Sequence, residues 1–177
     1  MKITDIKILK MSAQPHQSDT NNWLFVKIYT DSGIYGVGEG SLQYKDAALE
    51  SEILDFGKFL IDKDPFEIEF IWNSLYRRVT WTGGAVTMSA ISAIDLALWD
   101  IKAKSLDVPV YQLLGGKVRN RVPVYANGWF SGSITPEDHT ELGSLAVKVT
   151  DSPIQISASK PAFAVISITV IFTESEL

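Results

Sequence analysis

The chain has 177 residues, a net charge of −5 and hydrophobic residues at 46% of positions, values typical of a globular protein and not of a disordered one. The acidic balance argues against nucleic acid and anionic membranes as partners, and the absence of cysteine excludes disulfides, thiolate metal sites and cysteine nucleophiles. No apolar run approaches the roughly 18 residues that a spanning helix needs, so we expect a cytoplasmic protein.

The first forty residues predict an antiparallel meander of three strands. Polar and apolar residues alternate in the first strand, Ile3–Leu9, which therefore does not resemble a signal peptide. Trp23–Thr30 gives a second strand, and Ile34–Gly40 gives a third after a tight turn at Asp31–Gly33. The polar segment Met11–Asn22 is predicted to be a long exposed loop between the first two strands.

Alternate glycines mark the third strand, at positions 36, 38 and 40. Their spacing resembles part of a dinucleotide-binding loop, which requires a strand before the glycines and a helix opening directly after them. Here Glu39 and Gly40 stand where that helix should begin, and no βαβ unit surrounds them. The glycines are therefore not interpreted as a nucleotide site.

Three helices are predicted after Ser41. Apolar residues at helical spacing indicate the first of them, at Leu49, Ile53, Phe56 and Leu60. For the second helix, Asp64 is predicted as the N-cap, Pro65 as the first helical residue and Glu67 as the capping-box partner, with an end near Arg78. The third is predicted over Val86–Lys104, with Met88, Ile91, Ile94, Leu98 and Ile101 on its apolar face.

Two aspartates in the third helix raise a question of function. Asp95 borders the apolar face, where a carboxylate is either solvated, held by hydrogen bonds inside the helical layer, or chemically active. A backbone amide or a basic side chain can satisfy a buried acid with no reaction implied, and the residues alone leave the three interpretations open. Asp100 and Lys104 are predicted to form a solvent-side pair that stabilises the helix by a few tenths of a kcal/mol.

After the third helix, the sequence predicts only short elements. Pro109 should stop the helix, Leu113–Gly116 should end a short helical turn with glycines at positive φ, and Val122–Gly128 should form a strand. Lys148 fits helix spacing with Leu142, Leu145 and Val149, so it is predicted to be a solvated helix residue and not a catalytic base.

The motifs AISAIDLALWDIKAK (90–104) and PVYQLLG (109–115) resemble the amino-terminal half of the enolase superfamily. The similarity is to the mandelate racemase and muconate lactonizing group, and within it to galactonate dehydratase-like acid-sugar dehydratases. It extends to Gly36–Glu39 and to the sequence WTGG at 81–84. In these families such elements form a capping domain over a (β/α) barrel, with two loops that close on the substrate. The aspartate at the position of Asp95 does not perform the chemistry there, so the resemblance implies that Asp95 is an acid held by hydrogen bonds inside the helical layer.

The resemblance implies an α+β fold, with a three-stranded antiparallel meander, a helical bundle and the start of a (β/α) barrel. We expect the capping domain over residues 1–116 and a first barrel strand and helix over 117–150. Residues 151–177 form a tail unlike the family, and its segment Ala164–Phe172 has an aggregation-prone composition. We attribute this tail to an altered reading frame or gene end, or to a shortened protein whose tail strand pairs with an edge of the meander.

The chemistry of the family implies groups that this sequence does not supply. Its members abstract a proton α to a carboxylate and hold Mg²⁺ with three carboxylates from barrel strands, and a lysine or histidine serves as the base. The residues after Arg121 are far fewer than the roughly 200 of a complete barrel. We therefore expect no catalytic residue, no metal ligand and no cofactor bound by this chain, although Mg²⁺ serves the complete enzymes.

Four residues are candidates for substrate contact by analogy with the family: His16, Trp81, Thr82 and Asn127. His16 stands on the first loop, Trp81 and Thr82 on the second, and Asn127 at the carboxyl end of the predicted barrel strand, where barrel enzymes place functional residues. Each also has a structural alternative, which is an exposed loop residue for His16, helix-end packing for Trp81 and a strand-end cap for Asn127.

Two functions follow from these expectations. The first is the substrate-gating cap of an acid-sugar dehydratase, which meets its acid-sugar substrate only in a complete enzyme. The second is a non-enzymatic subunit-association module that uses apolar surface left uncovered by an absent barrel. In either case we expect the chain to self-associate, because the strand at Val122–Ala126 and the tail segment Ala164–Phe172 lack predicted partners.

Overall fold

The computed structural model describes residues 1–12, 22–78, 80–122, 135–137 and 154–155. The chain divides into two compact units, 1–113 and 114–177. The elements of the first unit are β1 (Ile3–Ser12), β2 (Asn22–Thr30), β3 (Tyr35–Glu39), α1 (Asp46–Leu60), α2 (Ile68–Arg77), α3 (Ala85–Ser105) and α4 (Val110–Leu113). The predicted α+β class, a meander of three strands followed by helices, is therefore confirmed.

The three strands form one antiparallel sheet in the order β1-β2-β3. The predicted loop between the first two strands was too long, because Met11 pairs with Trp23 and Ser12 pairs with Asn22. Met11 adds an apolar residue to the first strand, and the polar residues Ser12 and Asn22 form the last pair of the ladder. Positions 13–21, with His16, lie outside the described residues.

The core lies between the sheet and the helices. Leu24, Val26 and Ile28 of β2 are completely buried, and intervening residues of the strand face the opposite side of the sheet. The apolar face predicted for α1 is confirmed, since all four of its predicted residues are buried. Helix α3 is buried at nine positions, which include Ala90, Ala93 and Ala97 as well as the larger side chains.

Strand β3 packs against α3 with almost no side chain between the two backbones. A Cβ added to Gly38 would fall well under 3.0 Å from the carbonyl oxygen of Ala93, and one added to Gly36 would meet the carbonyl oxygen of Ala97 in the same way. The alternate glycines are therefore required by close approach of strand and helix.

The Asp100–Lys104 pair is buried, and the prediction that it faces solvent was wrong. The side chain of Asp100 is 2% exposed, and its Oδ2 accepts hydrogen bonds from the Lys104 Nζ at 2.7 Å and from the Val37 backbone N–H at 2.9 Å. The Lys104 ammonium also donates to the carbonyl oxygen of Tyr35 at 2.9 Å. The pair joins α3 to β3 and is not a surface interaction of a single helix.

Helix α2 begins later than predicted. Its first residue is Ile68, and Glu67 stands at the N-cap without a side-chain capping bond. The Asp64 carboxylate instead accepts the Phe66 N–H at 3.0 Å, and the Glu67 N–H reaches the Asp64 carbonyl at 3.2 Å. The capping signals in the sequence thus form a separate turn that precedes the helix.

Glycine geometry after α4 agrees with the prediction, since Gly115 and Gly116 adopt φ of 112° and 104°. In the second unit, Arg121–Val122 (β4) pairs antiparallel with Ile154–Gln155 (β5), a partner that the sequence did not predict. The other expectations for this unit, for Asn127, Lys148 and Ala164–Phe172, fall outside the described residues. Among the helices of the described part, none is long and apolar enough to cross a membrane.

Candidate functional site

Trp81 and Thr82 lie on the connection between α2 and α3, and both are exposed. The Trp81 side chain is 89% exposed, so the alternative that it packs at the helix end is not what the structure shows. The two glycines that follow, Gly83 and Gly84, adopt φ of 86° and 85°. We call residues 80–84 the indole loop, because Trp81 is the large apolar group that it presents.

The indole loop is anchored at its carboxyl end. Gly84 stands at the N-cap of α3, and its carbonyl oxygen accepts the Met88 N–H at 3.0 Å. A side chain added at Gly83 or Gly84 would meet no atom within 4 Å, so positive φ and not crowding favours glycine at both positions. The indole loop therefore ends in two glycines whose backbone conformation other residues rarely adopt, and it leads directly into the first turn of α3.

The indole loop lies at the end of the sheet where β1 ends and β2 begins. Gly36 lies beside Ala97, and Gly40 lies beside Ser89, so β3 runs toward the amino end of α3. The Gly40 N–H bonds the Leu24 carbonyl at 3.0 Å, which places the start of β2 at this end. Because Ser12 pairs with Asn22, the last residue of β1 lies at this end as well.

Three side-chain hydrogen bonds join residues near this end of the sheet and the first turn of α3. The Ser41 Oγ accepts the Leu24 N–H at 2.9 Å, and the Glu39 carboxylate accepts the Ser41 N–H at 3.2 Å. The Thr87 hydroxyl in the first turn of α3 donates to the Glu52 carboxylate of α1 at 3.1 Å. Serine and threonine at these positions were not singled out from sequence, because hydroxyls carry no distinctive spacing.

Metal-binding capacity can be assessed only for the residues that the structure describes. Among them, no group of three or more histidine, aspartate, glutamate or cysteine side chains could hold a metal ion. The described residues thus do not provide the three carboxylates that the family resemblance associates with Mg²⁺. No step through a metal is therefore assigned to them.

Asp95 is half-buried in α3 and lies away from the indole loop, more than two turns into the helix. Burial raises the pKa of the Asp95 carboxyl, and the negative charge of Glu69 on α2 raises it further. A side-chain hydrogen bond with Trp99, one turn along α3, lowers it. This setting agrees with a hydrogen-bonded structural acid, although an indole supplies the partner and not a basic group.

Asp95→Asn is expected to raise the free energy of unfolding at pH 7. The folded pKa lies above the unfolded one, so ionised Asp95 opposes folding increasingly as the pH rises from 3.8 through the folded value. Urea titrations should show a gain at pH 7 that shrinks toward pH 4. Asp55→Asn is the control, because Lys58 lowers the pKa of that exposed helical carboxyl, and an equal gain in both variants would contradict the assignment.

Comparison with known proteins identifies relatives of the first unit. The family model described as the mandelate racemase / muconate lactonizing enzyme N-terminal domain matches residues 4–115. The D-galactonate dehydratase of Variovorax paradoxus (strain S110) is 45% identical over 132 residues, which are 75% of this chain and 32% of that protein. The chain thus spans about a third of the length of this curated relative.

Solved structures show the same relationship. A proposed dehydratase from Mesorhizobium loti superposes with a TM-score of 0.73 at 41% identity, over 84% of this chain and 39% of that one. An enolase from Pantoea ananatis with bound D-gluconate and Mg superposes with a TM-score of 0.63 at 38% identity, over 70% of this chain and 29% of that one.

Proposed function

We propose that this chain, which belongs to the mandelate racemase / muconate lactonizing enzyme N-terminal domain family, is the substrate-gating portion of an acid-sugar dehydratase. The observation that carries the proposal is the exposed indole of Trp81 on the loop that enters α3, at the end of the sheet where β2 begins. A sugar acid has an apolar C–H face, hydroxyls and a carboxylate. An exposed indole beside a threonine hydroxyl suits the first two of these.

In this proposal the domain binds and orients the sugar acid and excludes water from it. Trp81 covers the ring or chain carbons of the sugar acid, and Thr82 offers a hydrogen bond to one of its hydroxyls. His16 and Asn127 stay proposed substrate contacts by analogy with the family, since both lie outside the described residues. The names of two relatives support an acid-sugar ligand, since one is a D-galactonate dehydratase and another was solved with bound D-gluconate.

We further propose that the chain is catalytically incomplete when alone. Mg²⁺ would supply stabilisation of the enediolate in a complete enzyme, and the described residues offer no donor set for it. Proton abstraction is correspondingly assigned to groups outside the described part. The chain alone should therefore not dehydrate D-galactonate in the presence of Mg²⁺.

A chimera tests the gating role directly. Residues 1–115 of this chain would replace the matching segment of the Variovorax paradoxus D-galactonate dehydratase, and turnover of D-galactonate would be followed. Trp81→Ala in the chimera should lower kcat/KM by at least about tenfold, which corresponds to about 1.4 kcal/mol of lost binding. Leu106→Ala is the control, because Leu106 is 56% exposed and follows the opposite end of α3. Equal effects of the two substitutions would contradict the proposal.

Titration with Mg²⁺ or Mn²⁺ is expected to show no specific site on the isolated chain. Scattered surface carboxylates bind these ions weakly, because each supplies too few oxygen ligands. Isothermal titration calorimetry would measure the heat of binding. A saturable site tighter than about 100 μM would contradict the assignment of the metal to other residues.

A further inference from the structure

The two edges of the sheet differ in how far their outward backbone groups are occupied by hydrogen bonds. On β3, the backbone groups of alternate residues face away from β2. Two of these groups are bonded, because the Asp100 carboxylate accepts the Val37 N–H and the Lys104 ammonium donates to the Tyr35 carbonyl. An exposed strand edge is a template for further strands. The buried ion pair therefore closes the β3 edge to strand addition.

The β1 edge is closed only at its start. The Ile3 N–H bonds the Lys63 carbonyl at 2.9 Å, and the Asp62 N–H bonds the Ile3 carbonyl at 2.9 Å. Further along, the Ile6 N–H bonds the side chain of Asp5 at 2.9 Å. Nothing comparable closes the backbone from Ile8 onward among the described residues.

The hydrogen-bond pattern of β2 fixes which β1 groups face outward. Leu24 and Thr30 of β2 bond to the β3 side, so the odd-numbered residues of β2 bond to β1. Their partners Lys7, Leu9 and Met11 are thereby occupied. The outward backbone groups of β1 belong to the alternate residues Ile6, Ile8, Lys10 and Ser12.

We propose that a second copy of this chain pairs with the β1 edge, antiparallel, about a two-fold axis at Leu9. Leu9 is the midpoint of the segment Ile6–Ser12, so this register opposes Ile8 to Lys10 of the partner and Ile6 to Ser12. All outward residues of both copies then meet in hydrogen-bonded pairs. The two sheets become one continuous sheet of six strands.

Side chains on the open face of the sheet favour this register. Leu9 is 47% exposed and Met11 is 59% exposed, and the axis brings Leu9 against its own copy and Met11 against Lys7. Centring the axis two residues earlier, at Lys7, would oppose two ammonium groups, which is destabilising. The Lys10 ammonium is already paired with Glu50 of α1.

The self-complementary register is the reason for choosing a second copy over an unrelated strand. A two-fold interface presents the same patch from both subunits, and it closes without leaving a further edge of the same kind. The aliphatic stem of Lys7 can cover Met11 of the partner while its charge remains in water. An unrelated peptide would require no such symmetry.

The absence of cysteine in this chain permits a clean crosslinking experiment. In the proposed register, Leu9 and its copy form a non-hydrogen-bonded pair, with Cα atoms about 4.5 Å apart, within the range of a disulfide. The full chain with Leu9→Cys should form disulfide dimers at least about tenfold faster than Leu54→Cys in the same glutathione buffer. Leu54, on α1, is 49% exposed, close to the value for Leu9.

A proline substitution separates edge pairing from other association. Lys10→Pro in the Leu9→Cys background removes an outward N–H without touching the bonds to β2, whereas Lys10→Ala keeps that N–H. Crosslinking should fall to the rate of Leu54→Cys with proline and stay high with alanine. Circular dichroism checks that both variants keep their folds.

A mixture of Lys7→Cys and Met11→Cys chains gives the second readout if the proline variant does not fold. Mixed dimers between positions 7 and 11 should exceed both homodimers, because the register opposes these two residues. Leu9→Cys crosslinking no faster than Leu54→Cys would overturn the proposal. Rapid crosslinking that is insensitive to proline, or a mixture without preferred 7–11 dimers, would overturn it as well.

Discussion

Gly38→Ala should lower the free energy of unfolding by roughly 3 kcal/mol or more, at the upper end of what overpacking costs. The added Cβ would fall well under 3.0 Å from the Ala93 carbonyl oxygen and 2.9 Å from the Ala97 nitrogen. Both are backbone atoms in the middle of α3, so no side chain can rotate away. Strand and helix must separate, which opens the core between them.

The measurement is urea unfolding of the full chain, followed by far-ultraviolet circular dichroism. Gly57→Ala is the matched control, because Gly57 lies in α1 and its added Cβ would meet only the Ile6 side-chain end at 3.3 Å. There, the better helix propensity of alanine should offset the contact, by up to about 1 kcal/mol. If Gly38→Ala unfolds within about 0.5 kcal/mol of the parent, the close packing of β3 on α3 is not what stabilises this layer.

Asp100→Ala should cost about 3–5 kcal/mol, the range for removing one member of a buried pair. The substitution leaves the Lys104 ammonium, whose side chain is 18% exposed, without its carboxylate. It also leaves the Val37 N–H without its acceptor. Unsatisfied buried donors lose their solvation in the folded state and recover it on unfolding.

A double-mutant cycle distinguishes an energetic interaction between Asp100 and Lys104 from simple loss of packing. Lys104→Met keeps the aliphatic length of lysine and removes its charge. The double variant Asp100→Ala with Lys104→Met should be more stable than Asp100→Ala alone, since no charge is then stranded. If the two substitutions instead add, within about 0.5 kcal/mol, Asp100 and Lys104 do not act as a pair.

Local periodicity predicted the elements of the first unit because their patterns are strong. Alternation in β1 and β2, and the spacing of Leu49, Ile53, Phe56 and Leu60 in α1, follow directly from one face being buried. The capping signals around Asp64 misled the start of α2, since the same residue types stabilise an isolated turn. Local chemistry selects a turn there, and only packing decides where the helix begins.

The roles of the two aspartates in α3 were not predictable under the assumption that the helix buries a single apolar face. Asp95 attracted attention because it stands between Ile94 and Leu96, but Asp100 is the deeply buried acid. Helix α3 packs against the sheet on one side and against α1 and α2 on others, so most of its circumference is buried. The signal that was available is the shared face of Ala93, Ala97 and Asp100 opposite the alternate glycines.

The candidate site was predictable only in part. Trp81 and Thr82 were found through the WTGG motif, and their exposure on a loop agrees with a contact role. The position of the indole loop at the end of the sheet where β2 begins could not be derived from the chain order, because it depends on how β3 runs along α3. The roles of His16 and Asn127 stay predictions, since both lie outside the described residues.

The contact of Gly36 and Gly38 with α3 has a mechanical consequence for any closing motion. Two backbones that touch directly, and that are also tied through Asp100, cannot slide past each other without breaking both contacts. Sheet and helix therefore move as one frame. Gly83 and Gly84 join Trp81 to this frame at positive φ, so rotation about their dihedrals would displace the indole while the sheet and α3 keep their positions.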